Sequence, residues 1–537
     1  MRFEPFEYVS GILGPTPDEI KLISSFFISF PLAGLLKRIP DDKPTLKNLF
    51  IISASLFYLV GLFDLWSGIR TLAISSTFAY CATKYIHGPL MPWIVFIFVM
   101  GHLSINQLTR QFINDPGLVD ITGAQMILTI KLTSFAWNVA DGQLPEKSLT
   151  DLQKEKALRQ LPSLLDFTGF IMFFPSLFAG PAFDFVDYKR WIEMEMFEIP
   201  NQGVNGNTSK SQTRKVRRVP GSFAPAMLKA ASGVMWIILF MKLSTVYYPG
   251  LLTEDTYMTY SFPRRVWILH LLCFTTRLKY YGVWALTEAA CILSGFGYDG
   301  INPASGKVSW NRLRHVDPIG VETAQNIRAY LGSWNINTNN WLRNYMYLRV
   351  TPQGKKPGFR ASMATFVTSA FWHGFYPGYY LSFILASFVQ TVAKNFRRYF
   401  RPFFLDPQTL KPTSLKPLYD IFSYIATQLA FSFITAPFIF LDLKPSLLVW
   451  SRLYFFGIIA TALSTIFFAS PAKRMLVKKL YQRNGKENPK IKTKSSSDNT
   501  LEPVLGIPPS VENDLKEIVQ ELNDHVNLTP SKQTKEL

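Results

Sequence analysis

The chain has 537 residues, of which 48% are hydrophobic, 15% aromatic and only 17% charged, with a formal net charge of +19. A charged share below the roughly 25% of soluble domains, with 45 phenylalanines, excludes a string of water-soluble domains and points to a polytopic membrane protein. The positive excess flanks apolar runs in short loops and the C-terminal tail, where positive-inside bias and anionic headgroups account for it, so nucleic acid is not an expected partner.

Residues 1–19 form a polar, acidic, proline-bearing N-terminal segment with no cleavable signal pattern. The first apolar span is Ile20–Leu36, closed by Lys37-Arg38. Shorter ones follow at Phe50–Phe63, Ile69–Ala82 and Pro92–Leu103. None reaches the roughly 20 clean apolar residues of a simple span, so tilted, kinked or re-entrant helices are expected. Gln125–Ala140 carries Lys131 and Asn138, with Asp141 just beyond, and these polar groups should face protein rather than lipid. Leu164–Phe183 is apolar but interrupted by Asp166, Pro175 and Gly180-Pro181.

A wet loop, Asp184 to Pro220, holds the basic cluster Lys210, Arg214, Lys215, Arg217 and Arg218. It is either a solvated loop near headgroups or a landing place for an anionic co-substrate. Phe223–Tyr248 is a good span. Val266–Thr276 and Tyr281–Phe296 read as two shorter ones, the second enclosing Glu288, and Gly297–Gln325 reads as polar turns. Ala329–Val350 reads as one amphipathic helix. Ile421–Leu441 and Leu447–Ala469 are strong final spans.

The fold class is therefore an all-α polytopic integral membrane protein, with roughly 10–11 tilted or broken transmembrane or re-entrant helices around a central cavity. The membrane domain runs over 20–470. Residues 471–537 form a basic, largely disordered tail, cytoplasmic by its Lys and Arg content, with an amphipathic helix expected at 510–527. Cys81, Cys273 and Cys291 show no paired spacing and read as small buried hydrophobes.

Two stretches carry candidate chemistry. One is Ser369-Ala-Phe-Trp-His-Gly-Phe-Tyr-Pro-Gly-Tyr-Tyr380, where His373 precedes Gly374, Pro377 and Gly378. These residues predict a broken helix, and a titratable residue at such a break is a functional candidate. The other is Ser333-Trp-Asn-Ile-Asn-Thr-Asn-Asn-Trp341, with four asparagines between two tryptophans. Buried asparagine is costly unless hydrogen-bonded, so the cluster marks either a polar pocket or ordinary capping. His373 is likewise either a satisfied structural histidine or a neutral imidazole able to accept a proton. No Gly-x-Ser-x-Gly, catalytic Cys arrangement or metal-ligand spacing is present. An enzyme built on these residues would use direct attack by an activated substrate hydroxyl.

Together the two stretches, 38 residues apart from Asn335 to His373, resemble the membrane-bound O-acyltransferase family. They are most similar to its lysophospholipid acyltransferase branch of the broad-specificity fungal type. The resemblance extends through Asp120–Asn138, Pro162–Phe167 and Phe178–Tyr188. It implies His373 as catalytic base and Asn335 as its partner, with Asn337 the alternative register. Trp334, Asn340, Trp341, Trp372, Tyr376 and Tyr379 become candidates for lining the substrate channels.

It further implies acyl-CoA as co-substrate, with no permanently bound cofactor or metal. The acceptor would be the free hydroxyl, sn-2 by expectation, of lysophosphatidylcholine, -ethanolamine, -serine or -phosphatidic acid. The implied location is the endoplasmic reticulum membrane; oligomeric state is open. Two alternatives stand: the same chemistry on a sterol, diacylglycerol or protein, and a proton-coupled transporter using His373 and Lys131.

Overall fold

A computed structural model describes residues 4–13, 16–113, 119–197, 219–352, 357–407 and 409–483. The basic cluster at 210–218 and the helix expected at 510–527 lie outside these residues. We number the principal helices in chain order. The first five are α1 Pro17–Arg38, α2 Pro44–Leu56 (prolonged by a π-helical turn to Leu62), α3 Trp66–Tyr85, α4 Met91–Ile113 and α5 Thr122–Gly142. Then come α6 Phe223–Leu243, α7 Phe262–Leu293, α8 Ile327–Ser333 and α9 Ile336–Leu342. The last five are α10 Phe359–His373, α11 Pro377–Tyr399, α12 Lys416–Phe440, α13 Leu443–Arg452 and α14 Phe456–Ala469.

Local signals start α1 where elementary capping rules put it. The Thr16 hydroxyl accepts from the Glu19 N–H and the Glu19 carboxylate accepts from the Thr16 N–H, with Pro17 opening α1 and Lys37 and Arg38 closing it. Such reciprocal caps satisfy otherwise orphaned backbone donors, and the terminal cations suit the helix dipole. Among the described residues, five helices are long and apolar enough to cross a membrane: α1, α2 with its extension, α4, α6 and α12. The α13–α14 pair makes a sixth if it is one bent span. Helices α3, α5, α7 and α11 match these in length but carry more polar residues.

The polar residues of α5 face protein. Gln125, Lys131, Asn138 and Asp141 of α5 are all buried, as the cost of placing such groups against lipid requires. Helix α7 is the pillar of the molecule. Its N-terminal third joins a core with Phe433 and Trp450, its middle a core with Val321, Tyr330 and Phe431, and its end a core with Phe173 and Phe183. At ~1.5 Å per residue it outreaches the ~30 Å hydrocarbon layer.

Four expected elements differ. The opening of the expected wet loop is instead a helix, Phe185–Ile192, whose Phe185, Tyr188 and Trp191 join the core. Val266–Thr276 and Tyr281–Phe296 are not two helices but parts of the single 32-residue α7. Arg277, in the gap between the two expected spans, is bonded twice to Glu322 at 2.7 Å inside the protein. Ala329–Val350 is not one helix: Asn335 adopts the left-handed conformation, φ 42° and ψ 56°, between α8 and α9, a state asparagine tolerates better than most residues. The final span is bent by 76° between α13 and α14, where Tyr454 and Phe455 both have positive φ. Cys273 and Cys291 are buried as expected, whereas Cys81 is exposed.

Candidate active site

The helix break at His373 is a matter of backbone chemistry. Gly374 takes φ +132° and ψ −161°, a region closed to residues with a Cβ, so α10 ends on the histidine. Gln107 of α4 covers the exposed end, its Nε2 donating to the Trp372 carbonyl at 2.7 Å. Where α11 begins, the Gly378 N–H donates to the Leu441 carbonyl at 2.6 Å. Polar backbone freed by the break thus finds protein partners, as it must at membrane depth.

The His373 ring stacks on Phe383 at 5.3 Å and meets Phe438 edge-on at 5.0 Å. Trp372 and Tyr379 flank it at 4.7 and 5.5 Å, and Tyr376 lies edge-on to Tyr379 at 6.1 Å. The histidine is half-buried, and its ring nitrogens make no hydrogen bond to the described residues. An imidazole held by apolar rings, with its nitrogens uncommitted, is free to exchange a proton with a bound hydroxyl.

The asparagine cluster divides by role. Asn337 Nδ2 donates to the Arg314 carbonyl at 3.1 Å and Asn339 Nδ2 to the Leu331 carbonyl at 3.0 Å. Both are backbone tethers, while Asn340 is exposed. Asn335 differs: its Oδ1 pairs with His315 Nε2 at 3.1 Å. With the amide oxygen toward the ring, Nε2 is the donor, because an amide oxygen only accepts; the tautomer sets that role. No hydrogen bond joins Asn335 to His373 among the described residues. Trp334 sits among Tyr280, Tyr281 and Trp284 at 5.8, 5.9 and 5.0 Å.

Helix α5 brings the motifs together. Trp341 Nε1 donates to Thr133 Oγ1 at 2.9 Å, Trp372 Nε1 donates to the Met126 carbonyl at 3.0 Å, and the two indoles lie 6.0 Å apart. Thr133 and Met126 are two helical turns apart, so one rigid helix sets the spacing of both motifs.

Sequence reading misses His315, Tyr280, Gln107 and Thr133 as members of this site. The available pointer to His315 is Glu288, because a carboxylate in an apolar run needs partners. Glu288 takes Lys229 at 2.8 Å and the His315 N–H at 3.2 Å.

Polar recesses open at both ends of α5. At its C-terminal end a cavity of about 240 Å³ is lined by Asn138, Asp141, Gln153, Lys156, Tyr345 and Arg349. Its charges are matched: Arg349 grips Asp141 at 2.5 and 2.8 Å, and Lys156 meets Asp187 at 2.7 Å. Burial alone would favour the neutral Lys156 amine, but Asp187 and Asp184 outweigh it and hold the pKa above the ordinary lysine value. At the N-terminal end a recess of about 170 Å³ is lined by Asn106, Thr109, Arg110 and Asp120. No group of three or more metal-ligating side chains occurs among the described residues.

Comparison with known proteins follows the same residues. The family model described as MBOAT, membrane-bound O-acyltransferase family, matches residues 111–436, a range holding α5, both motifs and most of α12. A lysophospholipid acyltransferase of Schizosaccharomyces pombe is 41% identical over 89% of this chain and 92% of its own length. One of Saccharomyces cerevisiae is 42% identical over 86% and 75%. Membrane-bound glycerophospholipid O-acyltransferase 2 of Homo sapiens is 31% identical over 73% of this chain and 72% of its own. The family match over 111–436 and the similarity to these relatives, on a helical multi-pass architecture, show that this chain belongs to the membrane-bound O-acyltransferase family.

Proposed function

We propose that this protein transfers a fatty acyl group from acyl-CoA to the free hydroxyl of a lysophospholipid, at sn-2, giving a diacyl phospholipid and CoA. The observation that carries the reading is His373, ending a broken helix among aromatic rings with its nitrogens uncommitted. The names of the yeast relatives support the acceptor class, and lysophosphatidylcholine, -ethanolamine, -serine and -phosphatidic acid are its candidate members. Membership of the O-acyltransferase family supports acyl-CoA as the donor, and its thioester supplies the good leaving group that direct attack by a hydroxyl uses.

In this scheme His373 takes the proton of the lysolipid hydroxyl as its oxygen attacks the thioester carbon. The C–O bond forms, the C–S bond breaks, and the proton passes to the departing CoA sulfur. Asn335 donates from its amide NH₂ to the thioester oxygen as charge gathers there, a contribution of about 3 kcal/mol for one such donor. Trp334, Trp341, Trp372, Tyr376 and Tyr379 shape the channel around the reacting groups. Asn337 supports the register through its tether to Arg314. We place the protein in the endoplasmic reticulum membrane with residues 471–537 cytoplasmic, on the basis of their Lys and Arg content.

The test is a transfer assay on purified protein, with labelled acyl-CoA and a panel of lysophospholipids, beside His373→Ala and Asn335→Ala variants. The His373→Ala variant should lose at least about a hundredfold in kcat, the lower range for removing a general base. Full activity in that variant would overturn the mechanism. Transfer to a sterol but to no lysolipid would keep the chemistry and replace the acceptor.

A further inference from the structure

His315 lies in the connection between α7 and α8, outside both motifs, yet it is the side chain that Asn335 bonds. Its surroundings fix it on every side. The imidazole stacks on Trp284 with centroids 4.4 Å apart and planes 17° from parallel. Its backbone N–H is held by Glu288 at 3.2 Å, and its carbonyl accepts from the Ile336 N–H at 2.8 Å. Glu288 is itself anchored by Lys229 of α6 at 2.8 Å. Opposite the ring stands Gly180 with φ +81°, where a Cβ would come within 2.8 Å of the His315 Cε1. The ring is buried, and its Nδ1 has no partner among the described residues. Nε2 is therefore its single polar attachment, directed at Asn335.

An asparagine amide presents an acceptor and a donor face, and nothing in its own shape decides which points at a substrate. A donor on Oδ1 removes that freedom. With the oxygen occupied by His315 Nε2–H, the Asn335 NH₂ is left as the available group, and its two hydrogens are what a developing oxyanion requires. The Ile336 N–H, on the peptide that follows Asn335, donates to the His315 carbonyl. Side chain and left-handed main chain of Asn335 are thus registered by one neighbour.

We propose that His315 is a positioning residue for acyl transfer: its Nε2–H orients the Asn335 amide so that NH₂, not oxygen, meets the thioester. The inference rests on the reading of Asn335 as the oxyanion donor. It assigns His315 no proton-transfer step and no contact with substrate. A conservative amide donor should therefore replace it, whereas a ring of similar shape without the donor should not.

The experiment compares His315→Gln, His315→Phe, Asn335→Ala and the double variant His315→Phe/Asn335→Ala in detergent-purified protein, with activities normalised to folded protein. The His315→Phe variant keeps the stack on Trp284 but lacks the donor. It should lose about ten- to hundredfold in kcat, the scale for a misplaced catalytic group, with KM for acyl-CoA and lysolipid within about twofold. The His315→Gln variant should recover most of that loss. In the Asn335→Ala background, His315→Phe should add no further loss, which a purely structural role would not produce.

Wild-type kcat in His315→Phe, equal inactivity of His315→Gln and His315→Phe, or additive losses in the double variant would each overturn the positioning role. An unimpaired Asn335→Ala variant would instead overturn the reading of Asn335 itself.

Discussion

At the scale of single residues, the site depends on conformations that only certain side chains permit. Gly374 ends α10 at φ +132°, and that stop is what leaves His373 at a helix terminus. Gly374→Ala should cost on the order of 1–3 kcal/mol of backbone strain and pull the histidine out of place. Specific activity per folded molecule should fall further than the thermal midpoint does, measured on the same preparation. An Ala variant with normal turnover would mean that the break tolerates another geometry. The Gly-Phe-Tyr-Pro-Gly run announces this break in the sequence, because glycine and proline act locally. The His315–Asn335 bond is silent there, since it joins residues 20 positions apart through a loop whose path depends on α7.

At the scale of elements, α5 acts as the common support for both motifs. Its buried face carries Thr133 and the Met126 carbonyl, which receive the indole N–H groups of Trp341 and Trp372. Thr133→Val keeps the volume but removes the acceptor. An unsatisfied buried indole N–H costs about 1–3 kcal/mol, so the variant should melt lower and turn over more slowly. Thr133→Ser should restore both, as measured by thermal shift and initial rate. Equal behaviour of the Val and wild-type proteins would remove α5 from the positioning of the site. The helical identity of α5 and the inward facing of its polar groups are legible in the sequence. That it serves both motifs is not, because a partner 208 residues away leaves no local trace.

At the scale of the whole molecule, α7 ties the cores together, and its middle is locked by a polar network. Arg277 pairs with both oxygens of Glu322, and Tyr281 donates to the same carboxylate at 2.7 Å. Removing one partner of a buried pair typically costs about 3–5 kcal/mol, whereas removing both with apolar replacements costs far less. Arg277→Leu should therefore lower the melting midpoint of the solubilised protein markedly, and Arg277→Leu/Glu322→Leu should recover much of the loss. A single variant as stable as wild type would show that the pair contributes nothing to holding α7.

By itself the sequence determined the class of the molecule, most helix positions, the break after His373 and the family. The first three rest on composition, periodicity and short-range backbone chemistry, and the family on the resemblance of the Asn335 and His373 stretches. Only the tertiary structure decided that Arg277 continues a helix rather than ending one, that Asn335 interrupts another, and that the last span bends at Tyr454 and Phe455. It alone placed Asn335 on His315. Charge, asparagine and aromatic residues have no fixed local conformation; each takes the one its distant partners satisfy. The histidine was visible because its break is local, and the neighbour that orients its partner was hidden because its bonds are not.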